Sequence, residues 1–324
     1  MHHRPKSKNF SQRVFYRQST SRVPFRESNS ITIQMKAHVL ENSYLFIGSG
    51  EESFENLPPD LSTSSVEEIN EKLRIGFTPA TLPITKKGDR QPIIPGSSLK
   101  GSIRHRIEHL FMFDPIKKFI HSCFINQSRG FIKINKKNRR FINIYGINGL
   151  ILERGRDQPP NRVCIVCDLF GAPGLASRVF FSDASPKSPV NLLDVVIEEG
   201  GKFLCVPPDT NFFFQIDMIN HKMYQTGLLL KGMNIPQKRP ILLGQFKYTK
   251  NKAKKESISF GRVQFFLEGI NERFTIRGKV QSKPLDKEKF VKETTLETEK
   301  QLKGLIRDID EIRRLEDDKQ EGVV

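Results

Sequence analysis

The chain has 324 residues, enough for one large core or two smaller ones, and its 37% hydrophobic and 27% charged content fits a folded protein. Its 53 Lys and Arg against 36 Asp and Glu leave a formal net charge of +17, which favours polyanionic partners, nucleic acid first and an acidic membrane surface second. No run of about 18 apolar residues exists to form a spanning helix, and the first residues carry no apolar signal-peptide core, so a cytoplasmic protein without a membrane partner is expected.

Residues 1–29 hold seven Arg or Lys against one Glu and read as a flexible basic arm. Ile31, Ile33, Met35, Ala37 and Val39 then alternate with polar residues, the pattern of a half-buried strand. A second short strand runs into Phe46-Ile-Gly-Ser-Gly50, where Gly48 and Gly50 make a small loop suited to a turn or to close approach by RNA. Ser65-Val-Glu-Glu68 has the spacing of a capping box and predicts a helix start.

The most informative stretch is Pro92-Ile-Ile-Pro-Gly-Ser-Ser-Leu-Lys-Gly-Ser-Ile-Arg104. Pro95-Gly96 forces a turn, and Ser97 or Ser98 can cap the helix that follows. Leu99, Ile103, Ile107, Leu110 and Phe111 recur on one helical face, and Asp114-Pro115 predicts the stop. Such a turn aims backbone donors and the positive end of a helix outward, as an anion site does. Lys100 and Arg104 stand four apart on one side of the same turns, a geometry that suits a ribose-phosphate backbone. The order of a Walker A loop is absent, so nucleotide hydrolysis is not indicated.

Between 115 and 163 the composition shifts to a basic insertion. Lys136, Lys137, Arg139 and Arg140 lie between Phe131-Ile-Lys-Ile134 and Phe141-Ile-Asn-Ile144, which predicts a hairpin able to hold phosphates and stack on bases, or a solvated tip over core phenylalanines. Cys164-Ile-Val-Cys167 follows; in a cytosolic chain with four cysteines this spacing points to a metal site before a disulfide framework. A redox pair and two buried apolar thiols are the alternatives. Arg178 to Phe181 reads as a buried strand, residues 186–206 as a projecting segment, and residues 206–219 as a turn and strand. Gly244-Gln-Phe-Lys-Tyr-Thr-Lys250 leads through a lysine run to a strand at Phe260–Phe266, with Lys247 and Lys250 as further phosphate candidates. From 284 to 324 mixed charge with spaced Leu and Ile predicts one or two amphipathic helices.

Four segments in order, Ile47-Gly-Ser-Gly50, Ile94-Pro-Gly-Ser-Ser-Leu-Lys-Gly-Ser-Ile-Arg104, Cys164-Ile-Val-Cys-Asp-Leu-Phe-Gly171 and Ser177-Arg-Val-Phe-Phe-Ser-Asp-Ala184, resemble the RAMP superfamily, in particular the backbone-type subunits of type III CRISPR effector complexes. The resemblance implies an α+β, ferredoxin-like (RRM-type) core over about 30–283, with an insertion at about 115–163 and a thumb-like segment at about 186–206. The basic arm and the helical C-terminal extension lie outside it. It implies a structural subunit that holds CRISPR RNA by its backbone for pairing with a complementary target RNA, beside other RAMP subunits. Gly96, Ser97, Ser98, Lys100 and Arg104 would hold the guide, and base pairing would read sequence.

Target cleavage in such subunits uses an aspartate before the Pro-Gly-Ser-Ser motif. Here the ungapped position is Ala80, which has no proton to exchange, so a non-catalytic role is expected. Asp60, Asp89 or an acid of Glu51-Glu-Ser-Phe-Glu55 would supply the acid in a shifted alignment, which makes a target-RNA endoribonuclease the second reading, and a general RNA-binding module outside CRISPR is the third. Some family members also carry a zinc site built from a His, a Cys and a later Cys-x-x-Cys. The corresponding set here is His121, Cys123, Cys164 and Cys167, with His109 and Cys205 as competitors.

Overall fold

The computed structural model describes residues 12–16, 30–54, 65–68, 79–83, 91–114, 116, 119–123, 143–145, 150–152, 163–197, 201–248, 251–252, 257–276 and 279–321. In chain order the elements that build the core and its annex are β1 (Ser30–Val39), β2 (Gly48–Phe54), β3 (Pro79–Pro83), α1 (Gly96–Leu110), α2 (Ile165–Phe170), β4 (Val179–Phe181), β5 (Leu193–Ile197), β6 (Gly201–Cys205), β7 (Asn211–Ile219), α3 (Met223–Gly232), β8 (Ile241–Leu242), β9 (Arg262–Ile276), β10 (Lys279–Pro284), α4 (Lys287–Gln301) and α5 (Glu311–Glu321).

One antiparallel sheet has the order β8-β9-β1-β7-β4, with β10 folding back on β9. Counting only β1, β4, β7 and β9 as strands one to four, with α1 after the first and α3 after the third, the spatial order is 4-1-3-2. That is the βαββαβ arrangement of a ferredoxin-like core, as expected.

The alternation in β1 explains the placement of the core. Ile31, Ile33, Met35, Ala37 and Val39 are buried on one face and meet Phe212, Phe214, Ile216 and Met218 of β7 with Val263 and Phe265 of β9. Leu99, Ile103, Ile107 and Leu110 of α1 close the same core. Each such side chain contributes about 1.5–3 kcal/mol by leaving water. Gln34, Lys36 and His38 point to the opposite, open face.

A second, smaller sheet has the order β2-β3-β6-β5. Its β5–β6 hairpin is the segment expected to project. An aromatic cluster ties it down: the Phe203 ring centroid lies 5.3 Å from Phe46 and 4.7 Å from Phe246. The C-terminal helices pack on the core. Thr294 and Thr298 of α4 are buried against Gly227 of α3, and Thr298 Oγ1 donates to the Tyr224 carbonyl at 2.9 Å.

Several expectations change locally. The stretch around Gly48 and Gly50 is the start of strand β2, not a free loop. Helix α1 begins at Gly96 with Pro95 at its N-cap, so Ser97 and Ser98 lie inside the first turn and cap nothing, and it ends at Leu110, before Asp114. Residues 143–145 form a helical turn, so the strand expected to end at Ile144 does not reach it; Lys136, Lys137, Arg139 and Arg140 lie outside the described residues. The Ser65 capping box is present: Glu68 N–H donates to Ser65 Oγ at 3.2 Å and Ser65 N–H to Glu68 Oε2 at 3.0 Å.

Candidate functional site: the motif turn and the thiol cluster

The Pro95-Gly96-Ser97-Ser98 turn sits where α1 meets the edge strand β4. Ile94 and Ala184 exchange two backbone hydrogen bonds, which fixes the chain just before the helix. The approach is so close that a Cβ on Gly96 would lie 2.3 Å from the Phe181 carbonyl oxygen, so no other residue fits. The Gly96 N–H donates to Asp183 Oδ1 at 2.8 Å. A carboxylate supplied by the fold therefore occupies the donor that the sequence offered to an anion. Ser97 and Gly101 are exposed one helical turn apart, and Ser98 and Lys100 are half-buried beside them.

The two cations of the motif are held by protein groups. Lys100 Nζ donates to Ser177 Oγ at 2.7 Å and lies 5.7 Å from the Phe180 ring; burial, then the nearby Arg104 charge, lowers its pKa. Arg104 spends its fork inward. Its Nε donates to Glu108 Oε1 at 3.0 Å, Nη1 to the Gly171 carbonyl at 2.8 Å, and Nη2 to Cys167 Sγ at 3.3 Å.

Those last two contacts belong to the knuckle Cys164-Ile-Val-Cys-Asp-Leu-Phe-Gly171. The Cys164 thiol caps α2 by accepting from the Cys167 N–H at 3.3 Å. Cys123 arrives from the preceding segment with its sulfur 3.5 Å from Cys164 and 3.0 Å from Cys167. All three are buried and their sulfurs lie within 4.8 Å of one another. Tetrahedral zinc with Zn–S of about 2.3 Å sets sulfurs about 3.8 Å apart, so a movement of less than an ångström opens this cluster around a metal ion. Hydrogen bonds to Cys123 and Cys167, with burial, push the Cys164 thiol well above its usual range, a cost that a bound cation would remove. The thiol group can thus hold a metal. His121, expected as the fourth ligand, is not within this cluster. Cys205 is buried in the aromatic cluster of the annex, where burial pushes its thiol up to about 12, and it takes no part.

Asp168 fastens the knuckle to the core. Its Oδ1 accepts from Arg178 Nε at 3.1 Å and its Oδ2 from Gln225 Nε2 at 2.8 Å, so one carboxylate joins α2, the start of β4 and α3. Sequence assigns no binding role to Asp183 or Glu108: Asp183 marks the turn after the strand in one of the family-like segments, and Glu108 follows Arg104 at the i,i+4 spacing that reveals an ion pair.

The remaining candidates fall elsewhere. Gly48 lies beside the Gly244 loop, where the Gln245 N–H donates to the Phe46 carbonyl at 2.9 Å; Gly244 has φ +83 and Phe246 φ 62. Lys247 is half-buried there, 5.4 Å from the Tyr248 ring, and burial lowers its pKa. Ala80 is the second residue of strand β3, opposite Ser53 on one side and Lys202 on the other. Asp60, Asp89 and Lys250 lie outside the described residues.

Among the described residues no helix is long and apolar enough to cross a membrane. No curated protein matches the chain. A family model described as RAMP superfamily matches residues 42–317, a span that includes the motif turn, the thiol knuckle and most of the C-terminal helices. The chain therefore belongs to the RAMP superfamily, which points to a CRISPR-associated RNA-binding subunit that works with RNA and other subunits of a complex.

Proposed function

We propose that this chain is a structural subunit of a type III RNA-guided complex that holds CRISPR RNA by its backbone for pairing with target RNA. The observation that carries the reading is the exposed first turn of α1, where Ser97, Gly101 and the rim of Lys100 present a small, polar, cationic surface beside the Gly96 amide that Asp183 occupies. The family match and the net charge of +17 support it. Gly96 and Arg104 act indirectly in this reading: Gly96 lets the turn approach β4, and Arg104 braces the helix on the thiol knuckle. A structural zinc held by Cys123, Cys164 and Cys167, with His121 two residues before Cys123 as the proposed fourth ligand, would stiffen the same corner. Ala80, at the ungapped position of the family's catalytic aspartate, has no proton to exchange, which supports a non-cleaving role.

Ser97→Asp tests the assignment. The new carboxylate sits one residue from the Gly96–Asp183 bond, where the helix dipole favours it and the Asp183 charge offsets that gain, and it repels a guide phosphate. Guide binding should weaken at least tenfold with no drop in melting temperature. Unchanged binding would remove the motif turn from the guide interface.

A further inference from the structure

The open face of the core sheet, opposite α1 and α3, carries an ordered row of side chains that the guide-binding reading does not use. Lys36 of β1 is paired in register with Phe213 of β7 on one side and with Phe266 of β9 on the other. Their neighbours Phe212, Phe214 and Phe265 point into the core, so Phe213 and Phe266 are the outward members of their strands. Both rings are partly exposed and each has an ammonium over its face: Lys187 Nζ is 3.9 Å from the Phe213 centroid and Lys36 Nζ 4.6 Å from that of Phe266. The row therefore reads cation, ring, cation, ring across three adjacent strands. Strand spacing of about 4.8 Å puts the two rings roughly 10 Å apart.

A recess of about 510 Å³ opens beside Phe213, walled by Pro186–Asn191 on one side and Pro207–Asn211 on the other. A space of that size takes a nucleotide. Its polar rim includes Ser188, Asn191, Thr210 and Asn211, and the flanking outward positions hold Gln34, Gln215 and Gln264. Gln215 Nε2 donates to Asp217 at 2.7 Å and Gln264 Nε2 to the Lys238 carbonyl at 3.0 Å, so these two amides turn their oxygens, acceptors for base edges, toward a ligand. Three acids share this face: Glu268 pairs with Lys36 at 3.6 Å, Asp209 lines the recess 3.7 Å from His38, and Asp217 holds Thr32, Gln215 and Arg273.

We infer that this face is a second RNA site, which takes two bases of a single strand by stacking one on Phe213, within the recess, and one on Phe266. Lys187 swings off the Phe213 ring as a base arrives and pairs with the adjoining phosphate, and Lys36 exchanges Glu268 for the next phosphate. A four-stranded sheet with outward aromatics binds single-stranded RNA in this manner, and stacking tolerates any sequence because every base has a π-face. The site lies beside the motif turn, since Ser185, two residues past Asp183, exchanges backbone hydrogen bonds with Phe213. It rests on the chain being an RNA-binding subunit but not on the turn's contact with the guide.

The test uses the full chain and a single-stranded RNA with 2-aminopurine at successive positions. Phe213→Ala should weaken binding about 5- to 150-fold and restore the quenched fluorescence of the stacked base, with an unchanged salt slope because no phosphate contact is lost. Phe213→Tyr should stay within about twofold of the native chain. Lys187→Ala should instead reduce the salt slope by about one. Phe266→Ser, on another strand, is an independent reading should the first variant fold poorly. Native affinity and native quenching in both ring variants would overturn the inference. If Ser97→Asp then still weakened guide binding, the guide reading would stand alone, whereas loss in the ring variants with none in Ser97→Asp would retain this face and remove the turn. A native chain that bound no RNA would end both.

Discussion

The amide of Gly96 and the carboxylate of Asp183 meet at 2.8 Å, and this one bond joins the start of α1 to the turn that follows β4. An acid at a helix start satisfies an orphan donor and complements the dipole. It also decides how the RAMP motif works here, because the glycine that the sequence offered to a phosphate is occupied by the protein.

Removing either partner should be felt in stability first. Asp183→Ala should cost about 1 kcal/mol as a lost cap. Gly96→Ala should cost about 1–3 kcal/mol, because its Cβ meets the Phe181 carbonyl at 2.3 Å and backbone cannot yield cheaply. Urea midpoints with unchanged slopes would verify both.

Arg104 should behave as a brace. It bridges Glu108, Gly171 and Cys167 from one guanidinium, and the Glu108 side chain is 2% exposed. Arg104→Ala should destabilise by about 2 kcal/mol or more. Arg104→Lys should recover only part of that, since an ammonium cannot span three acceptors in a plane. The salt slope of RNA binding should not change in either variant, whereas a direct phosphate contact would lower it by about one.

The thiol cluster predicts one metal ion per chain by elemental analysis. Cobalt substitution should show strong thiolate charge-transfer absorption, and Cys167→Ser should lose the metal together with several degrees of melting temperature. Metal-free chain that keeps its full melting temperature would rule out a stabilising metal.

Acid should weaken the fold through His221. Burial, with Arg178 adding and a backbone bond at Lys222 opposing, brings its imidazole down to about 4. Its unfolded value is near 6.5. Above that pH both states are neutral and nothing is lost. Between about 6.5 and 4 the unfolded chain gains a proton that the folded chain refuses, so stability falls as pH falls. The loss should be roughly 2 kcal/mol by pH 5. His221→Asn should flatten that part of the profile; an equally steep profile in the variant would place the acid sensitivity elsewhere.

The core was legible wherever one residue's burial follows from its neighbours. Ile31 to Val39 announced β1 by alternation, and Leu99, Ile103 and Ile107 announced α1 by period. The Cys-x-x-Cys spacing marks Cys164 and Cys167, and the family resemblance adds Cys123, which the structure brings to the same cluster. What sequence could not show were partners chosen by tertiary approach. Asp183 reaches Gly96 across 87 positions, and Arg104 turns inward because Gly171 and Cys167 lie beside it. His121 joins the thiols through the family resemblance, and the structure places its ring outside the cluster of the three sulfurs. Phe213 sat in a Phe-Phe-Phe run where only the strand's register tells the outward ring from its two buried neighbours.

The most direct test of the guide-binding account is to sequence the RNA that co-purifies with the full chain from cells expressing its complex, with Ser97→Asp alongside. The account predicts discrete RNAs carrying one repeat-derived end, recovered with the native chain and depleted in the variant. Recovery of random cellular RNA, or equal recovery with both chains, would contradict it.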